Sequence, residues 1–125
     1  MKLIIAGSRG FNDYSLLREK CDFLLSNVSP DRLEIVSGTA KGADQMGERY
    51  AEERGIKVKR FPADWDKYGK GAGYRRNSQM SDYADALIAF WDGESRGTLH
   101  MINLARKKQL KIKIVKYTDE RSIDN

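Results

Sequence analysis

The sequence predicts one three-layer α/β domain built on a five-stranded parallel sheet. Across its 125 residues, short apolar runs alternate with segments whose apolar residues recur at helical spacing. Parallel neighbours need a crossover connection, usually a helix, so this alternation places helices on both faces of the sheet. Glycine-rich turns also follow three of the predicted strands. The expected strand order is 3-2-1-4-5, and the length suffices for one domain with its own core.

The first half of the chain holds three predicted strands and two helices. In the first helix, Leu17 and Cys21 belong to an apolar stripe, and Asn12 or Asp13 is suited to cap its N-terminus. Gly55 is well placed after the second helix, because glycine adopts the left-handed conformation that commonly ends a helix. The predicted elements are a strand at 2–6, a helix at 13–27, a strand at 33–37, a helix at 42–54 and a strand through Ile56, Val58 and Phe61.

The second half is predicted to complete the sheet with two strands and two helices. Residues 62–72 are expected to form a loop, punctuated by Gly69 and Gly71. The elements after it are a helix at 73–84, a strand at 85–90, a helix at 96–109 and a strand at 111–115. The resulting domain spans 1–117, and residues 118–125 form a polar C-terminal tail.

The composition favours a cytoplasmic protein with an anionic partner. The chain carries 23 Lys and Arg against 18 Asp and Glu, a net charge of +5 that suits a nucleotide and a nucleic acid alike. The lone cysteine, Cys21, excludes an internal disulfide and fits a reducing compartment. One cysteine and one histidine offer no metal cluster, and no apolar stretch reaches membrane-spanning length. We therefore expect no metal, no cofactor and no membrane partner; the oligomeric state stays open, a homo-oligomer included.

The three glycine-rich turns predict a phosphate site. Residues 7–10 follow the first strand, residues 37–42 the second and residues 92–98 the fourth. Where such a turn leads into a helix, unpaired backbone N–H groups and the helix dipole favour an anion. In the expected strand order the winding reverses between strands one and four, which is where ligands bind in such folds. A nucleotide or another phosphorylated ligand is therefore the leading hypothesis.

Two common nucleotide motifs are missing from these turns. Residues 37–42 lack the Gly-Lys-Thr order of a Walker A loop, which disfavours ATP hydrolysis of that kind. The Gly-x-Gly-x-x-Gly fingerprint is also absent, and no acidic residue closes the second strand, which disfavours dinucleotide binding.

Charged and aromatic side chains beside the turns supply candidate ligand contacts. Arg75 and Arg76 lie in the first turns of a helix, where the dipole disfavours cations, so their position indicates a nearby anion or an ion pair. Trp65 is suited either to stack on a base or to cover the core, and the same holds for Tyr68, Tyr74 and Trp91. The carboxylates suited to act as a base or to bind a ribose hydroxyl are Asp44, Asp64 and Asp92.

Together, these segments resemble the SLOG superfamily of Rossmann-like proteins, in particular its YspA/YpsA-related branch. The resemblance implies a Rossmann-like fold and a nucleotide-like small-molecule ligand. The matching segments are Gly7-Ser8-Arg9, Ser37-Gly38-Thr39-Ala40-Lys41-Gly42-Ala43-Asp44, Pro62-Ala63-Asp64-Trp65, Ala72-Gly73-Tyr74-Arg75-Arg76-Asn77 with Met80, Asp85-Ala86 and Gly97-Thr98.

Two more distant resemblances imply alternatives. The chain is similar to the Lonely-guy phosphoribohydrolases, which are lysine-decarboxylase-like: their catalytic arginine aligns with Arg76, but their catalytic glutamate falls at Met101. A thioether cannot transfer a proton, so hydrolysis would need one of the aspartates instead. Residues 37–44 are also similar to DNA-processing A proteins, which load recombinase onto single strands. That similarity, the net charge and the loop aromatics keep a single-stranded nucleic acid as an alternative partner.

The sequence thus predicts a protein that binds a nucleotide or nucleotide-derived phosphorylated small molecule, as a sensor or a nucleotide-processing protein. A single-stranded nucleic-acid-binding module and a nucleotide hydrolase are the alternatives. The residues assigned to catalysis are Arg76, Asp92 and Asp44. The predicted ligand-binding residues are Gly7, Ser8, Arg9, Ser37, Gly38, Thr39, Lys41, Gly42, Asp64, Trp65, Asn77, Gly97 and Thr98.

Overall fold

The computed structural model describes residues 1–118, in which five parallel strands form one sheet in the order β3-β2-β1-β4-β5. This confirms the predicted fold class and strand order. Only the first residue of the predicted tail, residue 118, falls within the described part of the chain. The strands are β1 (Lys2–Gly7), β2 (Glu34–Ser37), β3 (Lys57–Arg60), β4 (Ala86–Trp91) and β5 (Lys111–Lys116).

Within residues 1–118, five α-helices connect the strands, and the four that were predicted lie close to their predicted bounds. The Asp13 carboxylate accepts the Leu16 N–H at 3.0 Å and caps the first helix. That helix ends at Leu24 rather than at residue 27, because the chain turns there and the Val28 N–H donates to the Leu25 carbonyl. The helices are α1 (Tyr14–Leu24), α2 (Ala43–Arg54), α3 (Trp65–Tyr68), α4 (Ala72–Tyr83) and α5 (Arg96–Lys107).

The prediction of an unstructured loop over residues 62–72 is wrong. The segment contains α3 and a 3₁₀ turn over Gly69–Gly71, and it leads directly into α4. Asp64 caps α3, since its carboxylate accepts the Lys67 N–H at 3.1 Å. A helix of only four residues has no recognisable apolar periodicity, so hydrophobic spacing gives no sign of it.

The core lies on both faces of the sheet because side chains alternate along each strand. On β1, Leu3 and Ile5 belong to the apolar cluster beneath α1 and α2. Ile4 and Ala6 belong to the cluster beneath α4 and α5. The sheet is therefore covered on both sides, and the carboxyl ends of the strands remain as the open edge above it.

Cys21 is part of the first of these clusters. Its side chain is fully buried, and burial raises the pKa of the thiol to about 12. The thiol is neutral at physiological pH, which agrees with the prediction that it serves core packing. Over residues 1–118, no helix combines the length and apolar character needed to cross a bilayer.

Candidate functional site

A well-formed cavity lies at the carboxyl ends of β1 and β4, where the strand order reverses. It has a volume of about 480 Å³ and is called the inner cavity below. A second depression of about 420 Å³, the outer groove, adjoins it beside the end of β2. The sequence-predicted residues that line the inner cavity are Gly7, Ser8, Arg9, Asp44, Trp65, Arg76, Asn77, Asp92, Gly97 and Thr98.

The loop after β1 forms one wall of the inner cavity and is tied to the loop after β4. The Ser8 N–H donates to the Phe90 carbonyl at 3.1 Å, and the Ser8 hydroxyl oxygen accepts the Asp92 N–H at 3.3 Å. A Cβ on Gly7 would lie 2.3 Å from the Phe90 carbonyl oxygen and 2.8 Å from the Ala43 Cβ. Only glycine therefore lets β1 approach both β4 and the start of α2.

The loop after β2 is held by its own side chains. The Ser37 hydroxyl donates to Glu48 Oε2 at 2.6 Å and accepts the Thr39 N–H at 3.1 Å. Gly42 has a φ of 85°, and a Cβ there would lie 2.5 Å from the Ser8 carbonyl oxygen. Within residues 1–118, Ser37 and Gly42 line neither the inner cavity nor the outer groove. Ser37 instead stabilises this loop through its hydrogen bonds, and Gly42 allows the start of α2 to pack against the loop after β1.

Asp44 is the buried carboxylate of the inner cavity. Its side chain is only 5% exposed, and Oδ2 accepts the Ala40 N–H at 3.2 Å. No described residue hydrogen-bonds Asp44 Oδ1. Every fully buried polar atom of the described side chains has a hydrogen-bond partner, so Oδ1 is not fully buried and is accessible from the cavity. Burial raises the pKa of Asp44 to about 6, against the opposing effects of the Ala40 hydrogen bond and the Arg76 charge.

Arg76 reaches from α4 across the cavity to the loop after β2. Nη1 donates to the Gly38 carbonyl, and Nε donates to Asn77 Oδ1 at 3.0 Å. Burial lowers the pKa of the guanidinium, and the Asp44 charge partly offsets that effect. A Cβ on Gly38 would lie 2.7 Å from Asp44 Oδ2 and 2.8 Å from Arg76 Nη1. Because Gly38 has no side chain, the Asp44 carboxylate and the Arg76 guanidinium can both lie against it.

Cations outnumber carboxylates on the walls of the inner cavity. Arg9, Lys70 and Arg76 line it together with Asp44 and Asp92. Arg9 is exposed and forms no hydrogen bond or ion pair with any residue of 1–118. A guanidinium without a protein partner beside a second guanidinium provides donors for an anionic ligand.

Two of the predicted carboxylates already have structural roles. Asp92 Oδ1 accepts the N–H groups of Glu94 and Ser95, both at 2.8 Å, which fixes the turn after β4. Burial acts to raise the pKa of Asp92, but the hydrogen bonds that its carboxylate accepts outweigh burial and lower the pKa. Asp64, the cap of α3, lines neither cavity within the described residues.

Of the four aromatic residues near the turns, Trp65 and Tyr74 line the inner cavity. Their side chains are 49% and 48% exposed, which leaves ring surface free for a ligand. The Tyr74 ring meets His100 edge-on, with 4.4 Å between centroids. Trp91 instead donates from Nε1 to the Ser95 carbonyl at 3.1 Å, and the Tyr68 ring lies 4.1 Å from the Arg75 guanidinium. Trp91 and Tyr68 therefore contact other residues of the protein and do not line the inner cavity.

Helix α5 closes the inner cavity with its N-terminal turns. Thr98 and Met101 are buried and line the cavity, and Asn77 Nδ2 donates to the Gly97 carbonyl at 3.3 Å. The structure thus places a thioether, Met101, inside the cavity. Lys70 is a lining residue that sequence reasoning missed; its position between Gly69 and Gly71 was the available signal.

The outer groove is lined by three further predicted residues, Gly38, Thr39 and Lys41. Thr39 adopts a positive φ of 65°, which turns the chain at the mouth of the groove. The N–H groups of Thr39 and Ala40 already donate to Ser37 Oγ and Asp44 Oδ2. Two of the amides predicted to bind phosphate therefore have partners within the protein.

Comparison with known proteins agrees with this fold. Residues 1–68 match the family described as YAcAr: YspA, cpYpsA-related SLOG family. The chain is 36% identical over 112 residues to the Gene 61 protein of Mycobacterium phage D29, an alignment that covers 85% of this chain and 89% of the phage protein.

Two solved structures share the fold. The DNA processing protein A of Streptococcus pneumoniae superposes with a TM-score of 0.72 at 18% identity, covering 99% of this chain and 53% of that protein. The DNA processing protein A of Helicobacter pylori, described for its single-stranded DNA binding mode, gives a TM-score of 0.66 at 20% identity over 96% of this chain and 67% of its own. This chain therefore spans about half of the pneumococcal protein, and the likeness concerns the fold. On the family match and the identity to the phage protein, the chain belongs to the YspA, cpYpsA-related SLOG family.

Proposed function

We propose that the inner cavity binds a nucleotide or nucleotide-derived phosphorylated small molecule. The observation that carries the proposal is the pair of guanidiniums, Arg9 and Arg76, beside the glycine turns of β1 and β4. Arg9 has no partner among residues 1–118 and is free to bind an anion. A planar guanidinium donates two parallel hydrogen bonds to a phosphate, which makes arginine well suited to this contact.

The remaining walls suit the other parts of a nucleotide. The N-terminus of α5, with Gly97 and Thr98, adds a partial positive charge beside the phosphate. Trp65 and Tyr74 offer ring faces to a base. Asp44 Oδ1 is an acceptor for a ribose hydroxyl. Each of these contacts lies on the same cavity, so one ligand of nucleotide size can make them together.

Arg76→Ala tests the phosphate contact, and Arg75→Ala is its matched control. Both remove one arginine from the first turns of α4, but Arg75 lies over the Tyr68 ring and lines neither cavity within residues 1–118. Loss of a charge-assisted hydrogen bond should weaken nucleotide binding by about 1.5–3 kcal/mol, roughly 10- to 150-fold. A thermal-shift panel first selects the nucleotides that bind the wild type. Calorimetric titration of both variants with these nucleotides then measures the loss of affinity.

The panel itself tests the proposal. A ligand present at about 100 times its dissociation constant should stabilise the protein by about 2.7 kcal/mol. If no nucleotide or phosphoribosyl compound raises the melting temperature, the proposal is wrong. If ligands bind but Arg76→Ala and Arg75→Ala both keep wild-type affinity while folded by circular dichroism, Arg76 has no phosphate role.

Binding of a single-stranded nucleic acid is the second candidate. The half-exposed rings of Trp65 and Tyr74 support it, together with the fold shared with two DNA processing proteins. Contacts to several phosphates would release counterions, so affinity for an oligothymidylate should fall steeply between 20 and 200 mM salt. No binding at low salt, or an affinity independent of salt, would eliminate this candidate.

Hydrolysis of the bound nucleotide is a further hypothesis, and Asp44 is the group that supports it. A general acid or base works best with a pKa near the operating pH, and the pKa of Asp44 is raised to about 6. Asp92, by contrast, is held as a hydrogen-bonded anion. A nucleotide that is turned over by the wild type should be bound but not hydrolysed by Asp44→Asn.

A further inference from the structure

The inner cavity and the outer groove share one wall, formed by Arg9, Ala40, Trp65 and Arg76. Of these, Arg9 and Arg76 are the charged members, so the guanidiniums stand between the two spaces. With volumes of about 480 and 420 Å³, each space is large enough for one part of a ligand. Both fall in the range of about 300–1,000 Å³ that small-molecule sites occupy.

The two spaces differ in chemistry. The wall of the inner cavity includes the buried residues Asn77, Thr98 and Met101. The outer groove is lined by Thr39, Lys41 and Gln45, which present a hydroxyl, an ammonium and an amide. A base and ribose suit the inner cavity, because Tyr74 lines it and does not line the outer groove, whereas a hydroxyl-rich or charged group suits the polar side chains of the outer groove.

A terminal phosphate at the shared wall would leave the outer groove unused. A bridging phosphate would instead lie on Arg9 and Arg76 with one substituent in each space. We infer that the ligand is a nucleotide whose phosphate or diphosphate is esterified to a second polar group, as in a nucleoside diphosphate sugar. This inference rests on the proposed function, because it places the nucleotide half in the inner cavity.

Paired ligands that differ only in the second group test the inference. Dissociation constants are measured by calorimetry, at one pH and ionic strength, for ADP and ADP-glucose and for UDP and UDP-glucose. The nucleotide sugar should bind at least tenfold more tightly than the matching diphosphate for the preferred base. A ratio near one, with measurable binding of the diphosphate, overturns the inference and leaves the proposed function standing. No binding of any of the four also overturns the inference, whereas the proposed function fails only if the whole thermal-shift panel gives no ligand.

Substitutions in the outer groove test whether the tighter binding of the nucleotide sugar arises from contacts in that groove. Lys41→Ala removes a cation from the groove, and Ala63→Tyr fills part of it. In both variants the affinity ratio of nucleotide sugar to diphosphate should fall to within threefold of one. Lys107→Ala, an exposed lysine near the far end of α5, should retain the wild-type ratio. An undiminished ratio in both groove variants would contradict the assignment of the second group to this groove.

A dinucleotide distinguishes a sugar from a nucleoside as the second group. Thymidylyl-thymidine carries a bridging phosphate with a nucleoside on each side. If it binds more tightly than every nucleotide sugar tested, the site accommodates a nucleic-acid strand and the inference of a nucleotide sugar is wrong.

Discussion

Replacement of Asp44 by asparagine should alter how stability depends on pH. The pKa of this carboxyl is about 6 in the folded protein, against an ordinary value of 3.8 for an aspartate side chain. At a pH between these two pKa values, the Asp44 carboxyl is protonated in the folded state and ionised in the unfolded state. The free energy of unfolding must therefore fall as pH rises from about 4 to 6, and the lost stability is present again below pH 4. A difference of about two pKa units corresponds to roughly 3 kcal/mol.

The measurement is urea unfolding of the wild type and Asp44→Asn at pH 4, 5, 6 and 7.5, without ligand. Asparagine keeps an oxygen that accepts the Ala40 N–H but has no titrating proton. The stability of Asp44→Asn relative to wild type should rise by about 3 kcal/mol between pH 4 and 7.5. Asp31→Asn, at an exposed position, is the control for loss of one negative charge outside the cavity. A flat difference between Asp44→Asn and wild type, or one that falls with pH, would refute the burial argument.

Three further results are expected. A phosphodiester ligand should bind the wild type more weakly as pH rises from 5 to 8, because ionised Asp44 repels it; calorimetry of Asp44→Asn should show a much smaller dependence. Gly7→Ala should destabilise the fold by about 1–3 kcal/mol or more in urea unfolding, since its Cβ would lie 2.3 Å from the Phe90 carbonyl oxygen; wild-type stability would contradict that contact. Cys21 should react with a thiol reagent only in denaturant, because its thiol is buried and its pKa is raised to about 12; rapid labelling of the folded protein would contradict this.

The sequence was sufficient to predict the layers and the strand order, because both depend on patterns that repeat along the chain. Alternating apolar segments specify a parallel sheet with crossover helices, and glycine turns mark the strand ends that face a ligand. The four residues of α3 carry no such repeat. Its one local signal was the capping residue Asp64, which was interpreted as a ligand contact.

Side-chain direction in the candidate site could not be predicted, because tertiary packing decides it. Trp91 resembled the other loop aromatics in sequence, but its ring is directed to the Ser95 carbonyl. Ser37 belongs to a glycine turn, yet its hydroxyl is engaged by Glu48, a residue on the following helix. The elevated pKa of Asp44 likewise depends on burial that only the folded chain creates.

The inner cavity is lined by residues from the ends of the strands and from the separate segment between β3 and α4. Arg9 and Asp44 come from the ends of strands and the helix that packs on them, where Ser8 ties neighbouring loops together. Trp65 and Lys70 come from the single excursion between β3 and α4. Arg9 and Arg76, the proposed phosphate contacts, lie outside that excursion, so substitutions within it would leave both arginines in place. Relatives of this chain that bind different ligands should therefore differ mainly in the segment between β3 and α4. A change of about a dozen consecutive residues would then alter ligand specificity on the same fold.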